Sequence, residues 1–280
     1  MKEKLMKLAF MTLGCPTWDL ATIIERAVAY GYDGIDFRGI ADAIDITVLP
    51  EFTSGIAETH RRIDDAGLKV CTISSSIKVC DPDKKAENVE EARRTIEVAT
   101  ELGVENVRVF GGGPVESIGH AAAAEIGVST IEDILALDGA EKLHWLFETH
   151  DHWIKSADCM LLLDKISVPA FGALWDIGHT SRVGGESPVQ TYAAIGPRVG
   201  YAHIKDAVFD AEHPLAMADG WRYVPAGTGT LPLAEGLGIL SRNGYDGWVT
   251  FEHEKRWHPE LPEPEDAFPR FIEWFRSLDI

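Results

Sequence analysis

The sequence is poor in cysteine and in positive charge, and it has no apolar run long enough to cross a bilayer. Its four cysteines, Cys15, Cys71, Cys80 and Cys159, are scattered, form no Cys-x-x-Cys pair and are too few to staple 280 residues. That excludes a disulfide scaffold and a thiolate zinc site, and it fits a reducing cytoplasm. Lysine and arginine number 26 against 45 aspartates and glutamates, a formal net charge of -19. Such a field repels phosphate backbones and anionic membrane surfaces, so neither nucleic acid nor membrane is expected as a partner. Met1 to Phe10 has basic residues but no long apolar core with a small-residue cleavage site, so no secretory leader is expected. A dinucleotide turn is also missing. Leu13-Gly-Cys-Pro-Thr17 does not have its pattern, and Gly111-Gly-Gly-Pro114 lacks its spacing and loses an amide donor at Pro114, so it reads as a loop.

What is present is an ordinary globular composition, 45% hydrophobic and 25% charged, on a chain long enough for a large core. Short apolar runs alternate with longer amphipathic stretches, the pattern of parallel strands joined by crossover helices. Eight strand segments stand out, near Leu8-Leu13, Gly34-Phe37, Lys69-Ser74, Asn106-Phe110, Leu143-Glu148, Phe171-Asp176, Val199-Lys205 and Trp248-Glu252. Eight such units predict a closed α/β barrel, a (β/α)8 TIM barrel, as a single domain over residues 1-280.

The helix pattern adds detail. Leu20-Tyr30 places Ile23, Ile24, Ala27 and Val28 on one face, and Lys84-Leu102 places Val89, Ala92, Ile96 and Ala99 on another, with Asp19 and Asp83 as start signals. Ala29-Tyr-Gly-Tyr-Asp-Gly-Ile35 is echoed by Asn243-Gly-Tyr-Asp-Gly-Trp248. In both, a helix exits at glycine just before a strand, and Gly103 does the same before Asn106. Within Pro114-Leu143, Ala121-Glu125 and Thr130-Leu137 read as two helices or one broken by Gly127. Arg256 to Glu265 reads as a loop leading into a last helix, Ala267-Leu278.

In a barrel of this kind the carboxyl ends of the strands form the active face, so polar residues there converge. The fifth to eighth strands end in Glu148, Asp176, His203 and Glu252. Three carboxylates facing one axis are costly unless something positive compensates them, and a cation does so. Oxygen donors with one imidazole suit manganese, magnesium or cobalt, and zinc on such donors stays open, with positions left for substrate.

Other residues gather near these ends. His179, three residues past Asp176, is read as a substrate contact. Lys205 points the same way as His203 and either neutralises an enolate or pairs with Asp206. His150 and His152 continue the alternation of Glu148 and either meet substrate or serve the loop. Arg38 and Arg108 can grip a carboxylate or phosphate, with pairing to Asp36 or Glu105 as the structural alternative. Glu254, Arg256, Trp257 and His258 form a loop that could cover the pocket. Trp18 or Trp221 could offer a sugar-stacking face, whereas Trp145 and Trp248 are expected to pack.

These residues resemble the sugar isomerase and epimerase group with a xylose isomerase-like barrel, which includes tagatose and psicose 3-epimerases, inosose dehydratases and hydroxypyruvate isomerases. The resemblance rests on Gly31-Tyr-Asp-Gly-Ile-Asp36, the Glu148 strand, Trp175-Asp-Ile-Gly-His179, His203-Ile-Lys-Asp206 and Gly244-Tyr-Asp-Gly-Trp248 leading to Glu252. It covers nearly the whole chain. It implies a metal held by Glu148, Asp176, His203 and Glu252, proton exchange by the two glutamates through a metal-stabilised enediolate, and substrate contact by His179. Small carbohydrate or cyclitol substrates follow from it, and dimers or tetramers are common in the group. It leaves isomerase, epimerase and lyase open, as well as a catalytically silent sugar-binding barrel. The type IV apurinic endonucleases of the same group are not matched. They resemble a three-metal site with histidines on earlier strands, and Cys71-Thr-Ile-Ser74 and Val107-Arg-Val-Phe110 supply none.

Overall fold

The computed structural model describes residues 6-280. Ten strands run in chain order: β1 Lys7–Met11, β2 Gly34–Phe37, β3 Lys69–Lys78, β4 Asn106–Phe110, β5 His144–Glu148, β6 Phe171–Asp176, β7 Val199–Ile204, β8 Asp206–Phe209, β9 Trp221–Val224 and β10 Trp248–Phe251. Eight of them close a parallel barrel in the order β1-β10-β7-β6-β5-β4-β3-β2. The expected barrel and its eight strand segments are all present. β8 and β9 form a separate antiparallel pair, unexpected from the sequence, inserted just after β7.

The two-residue alternation of each strand divides the core in two. Leu8, Phe10, Ile35, Phe37, Val107, Val109, Trp145, Phe147, Trp175, Ala202, Ile204, Val249 and Phe251 face outward and join one large cluster with the helices. Ala9, Cys71, Leu146, Leu174 and Tyr201 face inward as a small apolar plug. The inward positions one step further toward the carboxyl ends are polar: Asp36, Arg108, Glu148, Asp176, His203 and Thr250, all buried. The same periodicity that builds the plug therefore delivers charged side chains just above it.

Helix Leu20–Tyr30 starts as expected, with Asp19 accepting from the Thr22 amide at 2.8 Å, and it leaves through Gly31 at φ 79°, a left-handed conformation that costs glycine little. Ile23, Ile24 and Ala27 are buried, but Val28 is half exposed and lies off the buried face. Asp83 does not cap the helix after β3. Asp81 caps a short 3-10 turn, Pro82–Lys84, which passes into helix Lys85–Leu102 without a side-chain cap. Gly127 does not break its helix either. The break falls at Gly119, between Val115–Ile118 and His120–Leu135, while Gly127 sits mid-helix where a Cβ would lie 2.7 Å from Cys80 Sγ.

The last helix, Pro264–Ser277, seals the seam between first and last strands. Its Phe268 packs against Phe10, Trp18, Tyr32, Phe251 and His253. Trp18 is therefore a packing residue and not a sugar platform: it is buried, and its indole N–H donates to Glu265 at 3.2 Å. Phe268→Ala is expected to cost about 3–5 kcal/mol, as truncation of a fully buried aromatic does. Urea unfolding read against the wild type checks it, with the midpoint falling and the slope unchanged. Trp145, as expected, is buried and donates to the Ala140 carbonyl. Trp248 is partly buried under the plug, with Lys7 over its ring. All four cysteines are free and buried. Among the described residues no helix is long and apolar enough to cross a membrane.

Candidate metal centre at the barrel mouth

Glu148 and Asp176 end β5 and β6, His203 lies one residue before the end of β7, and Glu252 directly follows β10. Register pairs Asp176 with His203 and sets Thr250, two residues before Glu252, beside His203. His203 Nδ1 lies 3.1 Å from Glu148 Oε1 and 3.4 Å from Glu252 Oε2. Glu148, His203 and Glu252 form one group whose donor atoms lie within 4.8 Å of one another, and Glu148, Asp176 and His179 form a second that shares Glu148. Three of the four expected ligands thus meet in one group, and Asp176 stands in the adjoining one.

Asp176 has two tasks. Its Oδ1 caps helix Ile177–Arg182 by accepting from the His179 amide at 2.8 Å, and its Oδ2 faces His179 Nδ1 at 2.9 Å and Lys205 Nζ at 3.0 Å. The helix start turns His179 back toward the carboxylate that starts it, so the expected place of His179 beside the centre follows from local geometry.

Lys205 does not pair with Asp206. Its ammonium lies 3.0 Å from Asp176, 2.7 Å from Glu252 and 2.9 Å from Glu254, all buried. Asp206 instead accepts from the backbone N–H groups of Gly227 and Gly229, holding the turn after β9. The arginines also differ from their structural alternatives. Arg108 turns inward, away from Glu105, with Nη1 3.3 Å from Glu148 Oε2 and its guanidinium 3.7 Å over the Phe110 ring. Arg38 donates to Ser76 Oγ at 2.8 Å. His150 packs on His179 and Phe110 at 4.6 and 4.7 Å and holds Asp151 through Nδ1. His152 is exposed, outside this cluster.

Electrostatics follow from burial and partners. Burial pushes the Asp176, Glu148 and Glu252 carboxyls up. His179 and Lys205 outweigh it at Asp176, Arg108 and His203 at Glu148, and Lys205 and His203 at Glu252, so all three lie below the usual carboxylate range. Burial opposes charge on His203, yet Glu252, Asp36 and Glu148 around it push its pKa well up. Burial lowers His179. Burial, with Arg108 beside it, brings the Arg38 guanidinium down to about 9.

The donor set fits a hard or borderline divalent cation. Asp36, Glu148, Asp176, Glu252 and Glu254 are buried together against Arg108, Lys205 and the imidazole of His203, so carboxylates outnumber the cationic groups in the mouth. Asp176 Oδ2 and Glu252 Oε2 meet Lys205 as ion pairs but accept no aligned hydrogen bond, so both keep lone pairs for a cation. Sequence reasoning missed Asp36 as part of this cluster, although its position two residues after inward-facing Gly34 contained the signal. It also placed Glu254 only in a covering loop. The rest of that loop lies over the rim, with His258 edge-on to Tyr223 of β9 at 5.0 Å and Arg256 donating to the Ala41 carbonyl. Trp257 is exposed, and Trp221 packs against Phe209 at the far end of the β8–β9 pair.

A closed parallel barrel with buried acids and imidazole at its carboxyl mouth defines a class, and the sequence defines it more closely. The family model described as xylose isomerase-like TIM barrel matches residues 24–278, and the chain belongs to that family. A search of curated proteins by sequence returns no match. Among solved structures, the chain is similar to the probable 3-DHS dehydratase AsbF of Bacillus anthracis, at 16% identity and TM-score 0.77, covering 97% of this chain and 99% of that one. It is similar to an IolI protein with a bound zinc atom, at 18% identity and TM-score 0.76, covering 98% of each. It is also similar to 3-keto-D-glucoside 4-epimerase YcjR of E. coli, at 16% identity and TM-score 0.73, covering 97% and 99%.

Proposed function

We propose that this chain is a divalent-metal-dependent isomerase or epimerase of a small sugar, keto-sugar or cyclitol, with Glu148, Asp176, His203 and Glu252 as metal ligands. The observation that carries the reading is the meeting of Glu148 and Glu252, from strands three steps apart in the barrel order, within 4.8 Å of each other and of His203. A bound divalent ion supplies Lewis-acid polarisation of a carbonyl and balances the charge that develops on it. The chain's own groups do the rest. Both glutamates lie below the usual carboxylate range, so each is ionised at neutral pH and ready to accept a proton. One takes the proton from the carbon beside the carbonyl; the other, after taking up a proton from solvent, delivers it to a different face or carbon, and the first then releases its proton to solvent. Lys205, protonated and fixed beside Glu252, adds positive charge where an enolate oxygen forms. His179 and His150 line the same wall, with Arg108 behind Glu148, and orient hydroxyls.

Supporting this reading, similar structures include both an epimerase and a zinc-bound protein. The similar dehydratase favours a second reading, a lyase: the same proton abstraction ends in loss of water when a hydroxyl lies beta to the carbonyl. Candidate ketoses and keto-cyclitols, incubated in heavy water with protein stripped by chelator and reloaded with manganese, magnesium, cobalt or zinc, separate the outcomes. Deuterium at carbon without loss of water is the expected result, and it requires added metal. An unsaturated or deoxy product replaces isomerase by lyase. Absence of any bound divalent ion under every loading condition leaves a silent sugar-binding barrel.

A further inference from the structure

Asp36 ends the inward row of β2 and has no exposed surface. Among the described residues its ion-pair contact is to a histidine and not to an arginine or lysine: Oδ2 lies 3.4 Å from His203 Nε2. The same oxygen accepts from the Tyr201 hydroxyl at 3.2 Å, and that hydroxyl rests against Thr250 and against Cys71 Sγ at 3.1 Å. Among the described residues Oδ1 has no hydrogen-bond partner. A buried carboxylate in this position is costly, and the plug below it fixes where it points. On the opposite edge of the imidazole, Nδ1 faces Glu148 and Glu252 at 3.1 and 3.4 Å. A histidine that offers the Nδ1 lone pair to a cation must keep its proton on Nε2, and Asp36 is the acceptor at that nitrogen.

We infer that Asp36 is a positioning residue for His203: braced by Tyr201, it accepts the Nε2–H, fixes the ring plane and the tautomer, and leaves Nδ1 free to ligate. Carboxylate backing of this kind also raises the donor strength of the imidazole. The inference rests on reading His203 as a metal ligand. Asp36 touches neither substrate nor cation in this role and acts through the histidine alone.

The test uses the full chain, Zn²⁺ as probe, a competing chromogenic chelator to read affinity, and ¹⁵N-histidine NMR of the zinc-loaded protein. In the wild type the His203 Nε2–H is expected as a slowly exchanging, downfield resonance. Asp36→Ala is expected to weaken Zn²⁺ binding about 10- to 100-fold and to abolish that resonance, and Asp36→Asn, which keeps an acceptor but loses the charge, to fall between. Wild-type affinity together with an unchanged Nε2–H signal in Asp36→Ala overturns the inference while leaving the metal centre intact. If circular dichroism shows that Asp36→Ala does not fold, Asp36→Asn decides alone, and unchanged affinity and chemical shift overturn it. Failure of the wild type itself to bind Zn²⁺ overturns the ligand reading of His203, and this inference with it.

Discussion

Glu252→Gln is expected to lower turnover by roughly 100- to 10,000-fold, the range lost when a general acid or base is removed. The glutamine keeps the shape and retains an oxygen for Lys205, which lies 2.7 Å from Glu252 Oε2, so the barrel should stay folded. What disappears is the proton-accepting charge and one anionic donor facing His203 at 3.4 Å. Divalent-ion affinity should therefore fall together with turnover. Glu148→Gln should behave likewise, with one difference: it leaves Arg108, 3.3 Å away and buried, without its carboxylate, so a larger stability loss accompanies it. Steady-state kinetics on metal-saturated protein, with circular dichroism as the folding control, check both. A fully active, metal-loaded Glu252→Gln protein removes the assignment.

The second large effect is expected at Lys205. Its ammonium serves Asp176, Glu252 and Glu254 at 2.7 to 3.0 Å, and burial alone would oppose its charge, yet the three carboxylates push its pKa well up. Lys205→Met fills most of the same space without charge and strands those carboxylates. Removing one partner of a buried ion pair typically costs about 3–5 kcal/mol, and the apo protein should lose that much in urea unfolding. Divalent ion should restore part of the loss, because the cation supplies the missing positive charge to Asp176 and Glu252. Turnover should remain low even when metal is saturating, because in the proposed reaction the enolate oxygen loses its fixed partner. Equal destabilisation with and without metal contradicts a shared centre.

How much of this was legible depends on the range of the physics involved. The barrel strands announced themselves because a parallel strand covered on both faces is a short apolar run, and because glycine exits at Gly31, Gly103 and Gly244 mark where helices stop. Glu148, Asp176, His203 and Glu252 were readable because strand alternation places them on the inner face at strand ends. Their partners were not. Sequence adjacency suggested Asp206 for Lys205, whereas the ammonium reaches across to residues beside β6 and β10, and Asp206 serves backbone amides. Arg108 points inward by the same alternation that makes Asn106 an inner residue, which excludes its neighbour Glu105 as partner. The β8–β9 pair escaped because its strands are partly exposed and an eleven-residue loop from Asp210 to Gly220 separates them, so no hairpin dipeptide marks the turn. Asp83 lost to Asp81 for the reason that Pro82 suits the first position of a turn begun one residue earlier. Gly127 was misread because a buried helix crossing against Cys80 and Leu162 demands a missing side chain as strongly as a turn does.

The seam between the first strand and the last has a consequence for synthesis. β1 has one of its two neighbours only when β10 has been made, after every other barrel strand, with Lys7 beside Trp248 and Phe10 beside Phe251. Until then the nascent sheet carries two bare edges able to recruit strands from other chains. A stop codon introduced between the helix after β9 and β10 would leave both edges permanently open, and such a product should accumulate in inclusion bodies or be degraded rather than persist as a shortened, folded protein.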